Sequence, residues 1–151
     1  MLIKVDNPGN PELMELLADH IRDMRSISPP ESTHTLEIGE LQRPEITLWS
    51  GSLNSEIVGC AAIKELSSTH GEIKSMRTSP THRGRGVARR LLNHILAEAR
   101  TRRYHRLSLE TGSMDFFRPA QQLYTSAGFE YCEPFGDYQP DPNSLFMTKE
   151  L

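Results

Sequence analysis

The chain has 151 residues, 36% apolar, 25% charged and 7% aromatic, with a formal net charge of −3. That length suits one domain spanning 1–151, which buries roughly two thirds of its unfolded surface without staples, and no apolar run of about 18 residues exists to cross a bilayer. Cys60 and Cys132 stand outside any CxxC or Cys/His spacing, so neither a disulfide frame nor a metal site is expected; with no charged-then-apolar leader at the start, the expected location is cytoplasmic.

Leu2 to Val5 reads as a short first strand. Asn10 then caps a helix whose first turn takes Pro11, with Leu13, Leu17, Ile21 and Met24 at helical spacing. Ser28-Pro29-Pro30 ends it, and Thr35 to Leu41 is expected to add one or two helical turns. Ile46 to Ser50 and Ile57 to Lys64 flank Gly51 to Ser55 as an antiparallel hairpin, and Gly71 to Thr78 continues the meander. Val87, Ala88, Leu91, Leu92, Ile95, Leu96 and Ala99 form the clearest helical stripe. Arg106 to Thr111 alternates as a strand does. Ala120, Leu123, Tyr124 and Ala127 make a short amphipathic helix stopped by Gly128. Strands around Phe129 to Glu133 and Ser144 to Glu150 close the chain. This order, β–α–α–β–β–β–α–β–α–β–β, predicts an α/β fold: one twisted sheet with helices on both faces.

Charge is unevenly spread. Residues 83 to 106 hold eight arginines against the single acid Glu98, a formal +7 that leaves −10 for the rest. Such a run is either a solvated helix face or a site for a multiply anionic ligand. The acidic remainder argues against an extended nucleic acid and favours a compact phosphorylated ligand. It also makes a cationic second ligand more plausible than an anionic one.

The chemistry concentrates in Thr78-Ser79-Pro80-Thr81-His82-Arg83-Gly84-Arg85-Gly86-Val87-Ala88, between a strand and the best helix. Glycines at 84 and 86 let backbone amides turn inward, where they join the unpaired N–H groups of the first helical turn. Arg83 and Arg85 supply charge-assisted bonds, and the whole reads as a pyrophosphate cradle. A dinucleotide fingerprint would need glycine at Arg89, and the phosphate loop of NTPases needs a Gly-Lys-Ser/Thr that is absent. A tight structural turn is the plainer alternative.

Pro80 to Ala88 resembles the coenzyme A loop of the GNAT superfamily of acyl-CoA N-acyltransferases, Arg/Gln-x-x-Gly-x-Gly/Ala, with Arg83, Gly86 and Ala88 at the defining positions. Ala120-Gln121-Gln122-Leu123-Tyr124-Thr125-Ser126-Ala127-Gly128-Phe129 is similar to that family's Ala-x-x-Leu-Tyr-x-x-x-Gly-Phe signature. The likeness runs from about Ile46 onward. It implies a mostly antiparallel sheet of about seven strands and an N-acetyltransferase using acetyl-CoA as co-substrate, without a metal, on an amine of a small molecule or peptide. It also allows a homodimer. By the same resemblance, the backbone of Met76-Arg77-Thr78 pairs with the pantetheine arm, and the Met76 amide faces the thioester carbonyl as an oxyanion donor. Val87 and Ala88 open the helix beneath the phosphates, and Tyr124 protonates the departing thiolate; its alternative is core packing. Where the family often has a cofactor-touching asparagine, this chain has Phe117.

An alkylammonium with pKa near 10.4 cannot attack at neutral pH, so a base is expected. By the same resemblance Glu72, four residues before Met76 as a glutamate is in the family's histone-acetylating members, is the first candidate; period-two geometry puts Glu72, Lys74 and Met76 on one face, and the polar sequence there suggests a wet cleft. A Glu72–Lys74 surface pair competes with that reading. Glu110 is the second candidate. His34 lies in the loop that roofs the acceptor site in the family and is either an acceptor contact or an ordinary loop residue. Neither motif contains cysteine, which favours direct transfer in a ternary complex. A non-catalytic acyl-CoA-binding module of the same fold, and an arginine helix that binds nucleic acid, are the alternatives.

Overall fold

A computed structural model of the chain describes residues 1–33 and 37–151. Seven strands form a single sheet in the order β1-β2-β3-β4-β5-β7-β6. They are β1 (Leu2–Asp6), β2 (Ile46–Leu53), β3 (Glu56–Ser67), β4 (His70–Thr78), β5 (Arg106–Gly112), β6 (Glu130–Cys132) and β7 (Ser144–Glu150). Every pairing is antiparallel except that of β4 with β5. The expected class and strand count are therefore found.

Helix α1 (Pro11–Ile27) begins where Asn10 and Pro11 predict, with the Asn10 side chain accepting from the Glu12 amide. Its Leu13, Leu16 and Leu17 pack on Leu48, Cys60 and Ala62 on one face of the sheet. Helices α2 (Val87–Thr101) and α3 (Arg118–Ser126) cover the opposite face. There Val87, Leu91, Leu92, Ile95 and Tyr124 bury against Ile63, Ile73, Leu107, Leu109 and Met147. The broad stripe read from Val87 to Ala99 is thus the helical half of the main core.

Four local details differ from the pattern. The hairpin loop is shorter than Gly51 to Ser55, because Asn54 and Ser55 alone turn the chain, both with positive φ (49° and 68°). Two residues in the left-handed region match the twist of the flanking strands, so pairing continues up to Leu53↔Glu56. The helical turns after α1 fall at Pro30–Ser32 and Ile38–Gln42 and are 3₁₀; Thr35 and Leu36 lie outside the described residues. Met24 is not in the core but lines a cleft. The arginine run does not form one patch. Helix α2 spans 15 residues, about 22 Å, so Arg83, Arg85, Arg89 and Arg90 stand at one end and Arg100, Arg102, Arg103 and Arg106 at the other. Arg102 is structural: it bonds Glu98 and Thr47 and lies over the Trp49 ring.

Candidate active site

The parallel ladder between β4 and β5 lasts four pairs, from His70↔Arg106 to Ile73↔Leu109. Beyond it, β4 runs on to Thr78 and β5 to Gly112 without pairing, and the two strands part. A cleft of about 790 Å³ opens in the gap, running from the glycine-rich loop along β4 to α1 and the turn after it.

At one end the walls are backbone. Gly84 and Gly86 have φ of +76° and +80°, which an L side chain rarely adopts, and nothing lies within 4 Å of where either Cβ would stand. Gly86 is also the N-cap of α2, with no side chain bonded to the first-turn amides. Those donors therefore face the cleft with the positive end of the helix dipole behind them. Arg83 and Arg89 line this end, and Arg89 is steadied by the Ser126 hydroxyl at 2.6 Å. Arg85 belongs to the loop but is exposed and does not line the cleft. The loop is suited to a diphosphate with flanking charge.

In the middle, β4 is interrupted. The register steps from Cys60↔Arg77 to Ala62↔Lys74, so Ser75 and Met76 together oppose Ala61. Ser75 sits in the left-handed region at φ 54°, and the Cys60 thiol donates to its carbonyl at 3.3 Å. A bulge leaves its extra residue out of the ladder and re-aims the side chains beyond it. Here that overturns the strict alternation expected from sequence. Glu72 and Lys74 face the α1 side, whereas Met76 packs against the α2-side core. Thr78 and the backbone at Met76 remain on the cleft wall.

Tyr124, from α3, reaches the cleft from the α2 side. It is buried, edge-on to Phe129 at 5.6 Å between centroids, and burial raises its pKa, so the hydroxyl keeps its proton. Phe117 lines the cleft as well; its ring covers Gly112 so closely that a Cβ there would stand 2.1 Å from it. An apolar plate thus occupies the position where a polar contact is usual.

The far end is built from side chains. Glu72 is 3% exposed. Its Oε2 accepts from the Tyr138 hydroxyl at 2.6 Å and from Lys74 Nζ at 3.2 Å, and Lys74 also donates to Tyr138 at 2.9 Å. The Glu72–Lys74 pair weighed from sequence exists, but it is buried rather than at the surface. Tyr138 comes from the loop between β6 and β7, edge-on to Phe135 and tilted against Phe146, and its pKa is raised by burial and by the Glu72 charge. Glu110, on β5, has its pKa pushed up to about 7: burial is the main cause, Glu72 and Asp141 add to it, and the Ser144 hydroxyl and Lys74 oppose it. The same loop ties down the turn after α1. Ser32 donates to Asp141 at 2.6 Å and accepts from Asn143 at 3.3 Å, so the two segments close this end together.

Of the residues singled out in the sequence, Glu72, Met76, Arg77, Thr78, Arg83, Gly84, Gly86, Val87, Ala88, Glu110, Phe117 and Tyr124 all line one cleft. His34 lies outside the described residues. Sequence reading missed His20, Met24 and Ser28 of α1 and its end, and Tyr138 behind Glu72.

Residues 11–129 match the family model described as "Acetyltransferase (GNAT) family". Over its whole 151 residues the chain is 54% identical to the uncharacterized N-acetyltransferase YsnE of Bacillus subtilis, covering 100% of both chains. A crystal structure of a putative acyl-CoA N-acyltransferase from Klebsiella pneumoniae superposes with a TM-score of 0.77 at 33% identity, covering 99% of this chain and 97% of that one. The fold is also shared with an aminoglycoside 6'-N-acetyltransferase complexed with coenzyme A, at a TM-score of 0.73 and 18% identity over 99% and 97% of the two chains. With the family model matching residues 11–129 and a relative more than half identical over the whole length, the chain belongs to the GNAT family of acetyltransferases.

Proposed function

We propose that the protein is an N-acetyltransferase that moves the acetyl group of acetyl-CoA directly to a primary amine. The observation that carries this reading is the continuity of one cleft: a backbone diphosphate cradle, a bulged strand, the buried Glu72 and the half-buried Glu110 follow one another along it. Acetyl-CoA supplies the acyl group as a thioester. The loop amides at 84 to 88, with Arg83, hold its phosphates. The parted edge of β4 offers backbone groups to the extended arm, and the bulge at Ser75–Met76 frees an amide for the carbonyl oxygen.

Glu110 is the base in this reading, ahead of Glu72. Both lobes of chemistry favour that order. The Glu72 carboxylate is occupied by Tyr138 and Lys74, so its role is to hold those groups and to raise Glu110. Glu110, near pKa 7, is half ionised at neutral pH and can take a proton and release it in each cycle. Glu110 first takes a proton from the bound ammonium and so frees the nitrogen lone pair. As nitrogen bonds to the carbonyl carbon and the C–S bond breaks, Tyr124 gives its proton to the leaving sulfur. Tyr124 is reprotonated by the second proton leaving nitrogen, and Glu110 releases its own to solvent. No thiol lines the cleft among the described residues. Cys60 is buried, its pKa pushed up to about 12, so it is a poor nucleophile and direct transfer is favoured over an acetyl-cysteine intermediate.

Calorimetric titration with acetyl-CoA, and with dephospho-CoA for comparison, tests the reading. One-site micromolar binding followed by thiol release in the presence of amines is expected. Absence of binding would reduce the loop to a structural turn.

A further inference from the structure

Two polar groups at the acceptor end take no part in the chemistry above. Arg77 is only 6% exposed, yet among the described residues its guanidinium makes a single bond, Nη1 to Asp23 Oδ2 at 2.8 Å, and its Nε is buried without a partner. His20, one turn before Asp23 on α1, has Nδ1 in the same condition. Burial, reinforced by the Arg77 charge, lowers the pKa of His20 to about 4, so it is neutral. Both residues line the cleft on the α1 side, beside Met24 and Ser28.

Guanidinium offers five donors in a rigid fork. Leaving one buried and unpaired is unfavourable, so a buried arginine held by one bond gains when an oxyanion completes the fork. Asp23 does not complete it: its carboxylate takes one donor and is itself 41% exposed. Lys74, the other cation on this face, is engaged by Glu72 and Tyr138.

We propose that Arg77, with His20 beside it, binds a carboxylate borne by the acceptor, so that the acceptor is an amino acid or a similar zwitterion. The proposal rests on the acetyl-transfer reading and adds the substrate class to it. The amine end meets Glu110 while the carboxylate end meets Arg77, and the chain between them lies along Met24. This reverses the expectation drawn from total charge. The −10 outside the arginine segment is spread over the whole surface, whereas the acceptor meets only the cleft wall, where a guanidinium has spare donors.

The test uses the full chain and acetyl-CoA with three matched sets of acceptors: the proteinogenic amino acids, their methyl esters, and their decarboxylated amines. Thiol release should give at least one amino acid a kcat/KM about 100-fold above its ester and its amine. In Arg77→Gln that ratio should fall to within about threefold of unity, and Arg77→Lys should recover part of it. Each variant is titrated with acetyl-CoA to confirm folding. If Arg77→Gln does not fold because Asp23 loses its partner, the wild-type ratio and a three- to tenfold drop of the same ratio in His20→Gln carry the test. Esters or amines matching the amino acids, or an acetyl-CoA-binding protein that acetylates none of the amino acids, overturn the proposal. A protein that binds no acetyl-CoA overturns the transfer reading beneath it, a separate and visible result.

Discussion

The two ends of the cleft are built from different materials. At the loop end the ligand-facing groups are backbone amides from consecutive residues, set by two positive φ angles and a helix that lacks a side-chain cap. At the far end they are side chains from α1, β4, β5 and the loop before β7, brought together over more than 60 positions of sequence and coupled by short hydrogen bonds. A backbone site tolerates changes in most side chains but not in its glycines. A coupled side-chain site responds to each member according to how many partners it leaves unsatisfied. Substitutions at the two ends should therefore fail in different ways.

The sharpest test of the loop end is Gly86→Asp. It forces an L residue into φ of +80° and places a carboxylate among amides that await phosphate. Acetyl-CoA binding should be lost, by at least about 100-fold in Kd, in calorimetry. Because no atom stands within 4 Å of the new Cβ, the variant should still show a cooperative melt. Binding retained at near-normal affinity would break the contrast between the ends.

At the far end, Glu110→Gln should reduce kcat by about 10²–10³-fold while leaving acetyl-CoA affinity intact. In the wild type, kcat/KM should rise with pH through about 7 as Glu110 ionises; in the variant that limb should disappear. Stability should move the opposite way. The folded-state pKa lies above the ordinary value of 4.5, so the folded protein binds the proton more tightly than the unfolded chain. Stability from that proton is full below pH 4.5 and is lost as pH rises through 7, at most about 3 kcal/mol. Glu110→Gln should therefore melt about 5 °C above the wild type at pH 8 and close to it at pH 5. If Glu72→Gln, and not Glu110→Gln, removes the pH limb, the assignment of the base is reversed.

Tyr124→Phe is the milder change. A thiol near pKa 8.5 leaves readily on its own, so loss of the phenol should lower kcat about 10- to 100-fold with unchanged acetyl-CoA binding. The ring contact with Phe129 survives, so the melting temperature should hold.

How much of each end was legible in the sequence follows from the same contrast. Glycines 84 and 86 sit between a strand and a periodic helix, so the local pattern alone carries the loop, and the Leu-Tyr and Gly-Phe context places Tyr124. The fold was legible for a like reason: alternation and helical stripes are local signals, and what slipped within it was local too, namely turn lengths, the place of Met24 and the spread of the arginines. The bulge at Ser75 was not legible, because nothing in Lys74-Ser75-Met76 marks a residue that takes positive φ; the cause is the pairing with β3 and the Cys60 bond to its carbonyl. That one extra residue turned Met76 away from Glu72. Tyr138 was equally hidden, 66 positions from Glu72 in a proline-rich loop. Glu110 is proposed over Glu72, unlike the sequence expectation, for that reason: a carboxylate's usefulness as a base depends on its partners, and partners are a tertiary property.

The smallest expected effect bears on the step that joins the two ends. If the acetyl group rested on a thiol between them, the contrast between a donor end and an acceptor end would dissolve into two successive half-reactions. Cys60 and Cys132 are the chain's only thiols, and burial raises the pKa of both. Cys60→Ala removes a buried group packed against Leu13 and Leu17 and the thiol bond to Ser75, so it should cost about 1–2 kcal/mol of stability. Below its melting temperature, kcat should stay within about threefold of wild type, because the Met76 amide proposed to face the carbonyl belongs to the ladder interruption and not to the sulfur. Cys132→Ala should change neither turnover nor melting appreciably. Initial-rate patterns should intersect rather than run parallel in both variants, as they do for transfer within a ternary complex, and parallel lines in the wild type that vanish with either cysteine would place the acetyl group on sulfur after all.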